Sequence, residues 1–151
     1  MMPKWHLLWG FVFSYTLIYF FDFSVVTGIL IFLSSVLVDI DHVLIYFLET
    51  KNIHPKKFWD YSIEKKIQWG KLDHQQRYSY KRPHFILHGI EFIIILILFS
   101  FFWKLSFFVF LGILFHLSCD FVILIYEKEH ISLKFSQIWL WQRNKNKKDL
   151  N

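Results

Sequence analysis

The stretch SSVLVDIDHVLIY, residues 34–46, sets two aspartates and a histidine (Asp39, Asp41 and His42) inside an otherwise apolar run. The run is continuous and shows no period-two alternation, so it is expected to form a helix rather than a half-buried strand. Ionisable groups in apolar surroundings must be paired, protonated or bound to metal. What the rest of the chain offers them decides both fold and function.

The chain has 151 residues, 55% of them apolar and 22% aromatic, with only 5 Gly and 3 Pro. That composition is far from a soluble globular average and points to a membrane protein. Four apolar stretches, 5–21, 25–48, 84–103 and 105–126, approach the ~20 residues that a helix needs to cross the hydrocarbon layer. The turns at 22–24 and at Lys104 are short, so the expected fold is all-α: a membrane-embedded four-helix bundle built from two antiparallel hairpins. The first stretch is longer than a signal-peptide core and lacks a small-x-small cleavage pattern, so it reads as a retained membrane segment.

Charge placement orients the bundle. Of 17 Lys and Arg, nine lie between Lys51 and Arg82 and six between Lys128 and Lys148. Basic residues that flank apolar spans act as orientation signals, which argues against nucleic-acid binding. The 49–83 loop, the 127–151 tail and the N-terminus are therefore expected on the cytoplasmic side of an inner membrane. Residues 1–126 read as the bundle with its loop, and 127–151 as a basic, partly disordered tail. Within the loop, PKKFWDYSIEKKIQWG, residues 55–70, spaces Trp59, Ile63 and Ile67 on one helical face, suiting a helix on the membrane surface or one capping the bundle. The single cysteine, Cys119, cannot form an internal disulfide and reads as a packing residue.

With that orientation the ionisable residues of all four spans fall near one level. His6 starts the first span; Asp39, Asp41 and His42 lie in the inner half of the second. On the third, His84, His88 and Glu91 are spaced i, i+4, i+7, and on the fourth His116 and Asp120 are i, i+4. His54, His74 and His130 lie in polar segments and read as solvated. An intramembrane carboxylate costs roughly 2.5–3.5 kcal/mol at mid-bilayer, and no Lys or Arg occurs in these spans to offset it. Protons or metal ions must supply the positive charge. Histidine with carboxylate suits Zn²⁺, with Mn²⁺ or Fe²⁺ as alternatives, and so many ligands point to two or more ions.

The order of motifs, WHLLWG at 5–10, VDIDH at 38–42, LHGIE at 87–91 and HLSCD at 116–120, resembles the YdjM-type membrane-bound metal-dependent hydrolases. That resemblance implies a distant likeness to the zinc-dependent phospholipase C and P1 nuclease fold. It also implies His6, Asp41, His42, His88, His116 and Asp120 as metal ligands. The third motif departs from the usual H-R-G-x-T-H-S: Pro83 stands where the first histidine is expected, His84 is displaced by one, and Gly89 replaces the serine.

The expected function is metal-assisted hydrolysis of a phosphoester, with a lipid-linked one among the options, at the cytoplasmic face. Asp39 and Glu91 are the candidates for general base. Arg77, Lys81, Arg82 and His84 are the candidates for drawing in an anionic, phosphate-bearing substrate, and membrane lipid is the expected partner. The alternatives are a divalent-metal or proton transporter, and a non-catalytic membrane protein with a structural metal site. A transporter needs polar residues along a whole path, and stretches such as FIIILILFSFFW at 92–103 offer almost none.

Overall fold

The computed structural model describes residues 3–127, 129 and 136–149. The described residues are helical apart from connecting segments and one isolated bridge between Tyr80 and Lys148. Helix α1 covers Pro3–Phe21, and Asp22 turns the chain with a positive φ of 54°. Ser24 then caps α2 (Val25–Leu37) by accepting from Thr27 N–H at 3.2 Å. After a break at Val38 and Asp39 the same apolar run continues as α3 (Ile40–Thr50). The loop holds α4 (Pro55–Gly70), with Pro at its start as its sequence leads one to expect, and the short α5 (His74–Ser79). A 3-10 turn (Ile86–His88) leads into α6 (Ile90–Ser100), followed by α7 (Lys104–Tyr126) and, near the end, α8 (Gln137–Asn144).

Helices α2 and α7 form the central pair, with α1 packed on both and α6 on α7. The approach is closest at Gly112 of α7, where a Cβ would run into Ser34 Oγ and the Ile31 carbonyl. Ser34 and Ser35 return their hydroxyls to the carbonyls of Ile31 and Phe32, at 2.9 and 2.7 Å, which leaves a narrow, satisfied stripe for α7 to lie on. Below that contact Val38, Ile93 and Ile113 form a small buried core, with Leu87, Ile90 and Leu117 against it. Most other apolar side chains face outward, among them Phe20, Val26, Phe101 and Phe102. Two helical runs, Val25–Thr50 and Lys104–Tyr126, are long and apolar enough to cross a membrane; Trp5–Phe21 and Ile90–Ser100 are shorter.

The third apolar stretch differs from the expected helix over 84–103. Its helix begins only at Ile90, and residues 80–85 are not helical. Pro83 disfavours helical geometry at Arg82. Side chains satisfy the backbone donors of this segment: Asn144 Oδ1 accepts from Arg82 N–H, Gln137 Oε1 from Phe85 N–H, and Asp41 Oδ2 from Leu87 N–H. Part of the tail is ordered against the loop. Leu140 of α8 is almost fully buried, and Lys148 pairs with the backbone of Ser79 and Lys81.

Replacing Gly112 by Val should separate α2 from α7 and cost roughly 1–3 kcal/mol, as overpacking does. Gly70→Ala, with nothing within 4 Å of the added Cβ, should stay within about 0.5 kcal/mol of the native protein. Thermal melts in detergent compare the two.

Candidate metal centre

His116 and Asp120 lie one turn apart on α7 and are both buried. The break after α2 orients His116. Asp39 N–H turns to the Val36 carbonyl, three residues back, at 3.2 Å. The Ser35 carbonyl, which a regular helix would give to Asp39, instead lies 2.7 Å from His116 Nδ1. A carbonyl only accepts, so Nδ1 carries the hydrogen and Nε2 of the neutral ring carries a lone pair. That Nε2 is buried, has no hydrogen bond among the described residues, and faces Asp39 Oδ1 at 3.5 Å.

The other histidines converge on the same carboxylate. His42 Nε2 and His88 Nε2 each lie 3.6 Å from Asp39 Oδ1. Behind His88, Asp41 Oδ2 sits 3.3 Å from its Nδ1 and accepts from Leu87 N–H at 2.7 Å, so Asp41 holds the ring with Nε2 turned inward. From α1, His6 stacks on His116 with ring centroids 4.0 Å apart and sets Nε2 3.4 Å from Asp120 Oδ1.

These separations are informative. An N–H···O hydrogen bond is normally about 2.7–3.2 Å long. Two donors about 2.1 Å from one tetrahedral zinc ion lie about 3.4 Å apart. The imidazole–Asp39 pairs, at 3.5–3.6 Å, match ligands that share an ion better than they match hydrogen bonds. Three overlapping groups could each hold a metal ion: His6, Asp39 and His116; Asp39, His42 and His88; and His88, His116 and Asp120. Asp41 backing His88 is the usual carboxylate–histidine support of a metal ligand.

The structure does not bring Glu91 to this cluster. It caps α8, accepting from Ser136 Oγ at 2.5 Å and from the N–H groups of Gln137 and Ile138 at 3.1 and 3.2 Å. His84, off the helix, has its Nε2 3.2 Å from Asn144 Nδ2. His54 is exposed, the His74 side chain is not described, and His130 lies outside the described residues. Cys119 is partly buried on α7.

Beside His42 a cavity of about 720 Å³ opens between the loop and the tail, walled by Tyr61, Lys65, Trp69, Lys81, Arg82 and His84. Its basic groups have acidic partners. Lys65 faces Glu49 at 3.6 Å, Lys81 Nζ reaches Asp149 Oδ1 at 3.0 Å, and Arg82 binds Glu129 Oε2 at 2.6 Å. Arg77 lies on the other Glu129 oxygen at 2.5 Å and Trp69 Nε1 donates to it at 3.3 Å, while the Arg82 guanidinium stacks over Trp69. The sequence drew attention to Arg77 and Arg82 but not to Glu129; an acid embedded in a basic tail was the available signal. No family model, curated protein or solved structure matches the chain.

Burial alone would raise the Glu129 carboxyl, but the Arg82 charge and the bonds from Arg77 and Trp69 outweigh it and hold the group below the ordinary value of 4.5. The stability it contributes is therefore complete above pH 4.5 and is lost as pH falls through the lower folded-state value. Glu129→Gln should leave two arginines uncompensated, cost roughly 3–5 kcal/mol near neutral pH, and flatten the acid side of the stability profile. Chemical denaturation across pH in a fixed detergent checks both effects.

Proposed function

We propose that this chain is a membrane-embedded, metal-dependent hydrolase acting on a phosphoester at the cytoplasmic face of the inner membrane. The observation that carries the reading is the Asp39 carboxylate, one oxygen of which faces three imidazole Nε2 atoms at ligand-sharing distances. The order of motifs that resembles the YdjM-type hydrolases agrees with it.

A four-helix membrane bundle is supported by how the two long apolar runs are buried. Only 33% and 28% of their most apolar windows lie inside the protein. The core helix of a soluble protein would be mostly enclosed, whereas these helices turn bulky apolar side chains outward, as a lipid-facing surface does. Basic residues in the 49–83 loop and the 127–151 segment assign those segments, and the start of α1, to the cytoplasmic side.

Zinc is the metal that this histidine and carboxylate set fits best. Asp39, His42 and His88 would hold one ion and Asp39, His6 and His116, with Asp120 beside them, would hold another, while Asp41 positions His88. When bound, such ions supply Lewis acidity: they lower the pKa of water toward about 7 and offset charge that develops on a phosphoryl group. Two dications against the carboxylates of Asp39, Asp41 and Asp120 leave an excess positive charge. That excess, rather than the acid-paired Lys65, Lys81 and Arg82, attracts an anionic phosphoester. His42, half-exposed and lining the cavity, marks the side from which substrate and water enter.

Purified, zinc-loaded protein should hydrolyse some members of a panel of phospholipids and model phosphodiesters. His116→Ala and Asp39→Asn should each lose more than about 100-fold, and Asp41→Asn about 10–100-fold with partial recovery in excess zinc. Unchanged turnover in the His116 and Asp39 variants would remove the assigned site. Metal flux through liposomes without hydrolysis would favour a transporter instead.

A further inference from the structure

The cluster borders a second opening of different character. Between α6 and α7 runs a groove of about 410 Å³, within the range of small-molecule sites. His88 and Asp120 of the cluster are among its walls, and the remainder is almost wholly apolar, with Ile90, Ile93, Leu114, Leu117 and Phe121. Leu114, Phe121 and Val122 are exposed along it, so the groove is open on the apolar outer surface of the bundle.

The polar cavity and this groove meet at the cluster. His42 lines the first and His88 the second, and their rings stand edge to face with centroids 5.5 Å apart. Phe85, a wall of the polar cavity, packs 4.2 Å from the His42 ring and 5.6 Å from the His88 ring. The polar cavity and the apolar groove therefore both border the cluster, and a wholly soluble phosphoester would use only the cavity and the cluster.

We infer that the substrate is a membrane lipid phosphoester held across the centre, its headgroup in the cavity beside His42 and an apolar chain in the α6/α7 groove. The inference rests on the hydrolase reading above and adds to it the nature of the substrate. Two observations choose a lipid chain over a second copy of this protein as the occupant. The groove has two side chains of the cluster, His88 and Asp120, among its walls, and an apolar helix face could not engage them. It also lies at the start of α6 and the end of α7, beside the polar loop, where a chain attached to a headgroup would enter. Among the described residues that line it, the polar side chain besides His88 and Asp120 is Ser118, whose hydroxyl is already bonded to the Leu114 carbonyl at 2.8 Å.

The test separates chain binding from chemistry. Leu114→Trp and Val122→Trp add bulk at two exposed points of the groove. Each should raise KM for a long-chain phospholipid at least tenfold while leaving turnover of a chainless nitrophenyl phosphodiester within twofold. Equal effects on both substrates in both variants, or no effect on the phospholipid, would overturn the groove assignment and leave the hydrolase reading in place. A binding readout does not need activity: a phospholipid with a photoreactive group in its chain should label α6 and α7 at the groove, and less so in the Trp variants. Labelling confined to other faces, or a groove covered by a second copy in native mass spectra, would contradict the proposal even if no substrate is turned over. Failure of the zinc-loaded protein to hydrolyse either substrate, with groove labelling intact, would instead count against the hydrolase reading.

Discussion

Asp39 Oδ1 stands within 3.6 Å of the Nε2 atoms of His42, His88 and His116, and much of the chain is arranged to bring those rings there. The helix break at Val38 and Asp39 releases the Ser35 carbonyl, which fixes the His116 ring. The non-helical start of the third apolar segment puts Leu87 and His88 against Asp41. The close crossing at Gly112 brings α7 near enough to α2 for His116 to reach Ser35 at all. Loosening any of these contacts would pull apart the buried nitrogens and oxygens that face one another in the cluster.

Two buried acidic sites in the same chain are neutralised differently. Glu129 lies outside the long apolar runs and receives two guanidinium groups and an indole N–H. Burial pushes the Arg82 guanidinium down from its ordinary value, and Glu129 opposes that shift without cancelling it. Asp39, Asp41 and Asp120 lie within or beside the apolar runs, where the sequence has no Lys or Arg, and they face imidazoles. A neutral ring held as Nδ1–H, as the Ser35 carbonyl favours for His116, does not donate toward Asp39 from Nε2. Protons, or a metal ion that these His and Asp groups could hold, would offset the carboxylates.

Much of this was readable from residue spacing. His116 and Asp120 sit on one face of α7 as i, i+4 spacing requires, and Asp39 with His42 as i, i+3 allows. The all-helical class followed from the continuous apolar runs. What spacing could not reveal were places where side chains override helical periodicity. His88 and Glu91 do not share a face, because His88 lies in a 3-10 turn and the helix begins only at Ile90, with Asp41, Gln137 and Asn144 holding the backbone donors over 82–87. Glu91 consequently points to the start of α8, and Asp39 rather than Asp41 becomes the carboxylate at the centre. The tail was illegible for a similar reason: α8 is held by polar contacts from distant residues such as Glu91 and Arg82, which no local pattern announces.

The central claim is that the cluster is a metal centre built on Asp39. Metal content of the purified protein, measured by inductively coupled plasma mass spectrometry beside a thermal melt, tests it most directly. The account predicts about two zinc-class divalent ions per chain, a lower melting temperature after chelation, and loss of bound metal in Asp39→Asn. Protein that is metal-free as purified, takes up no zinc and melts at the same temperature with or without chelator would contradict it.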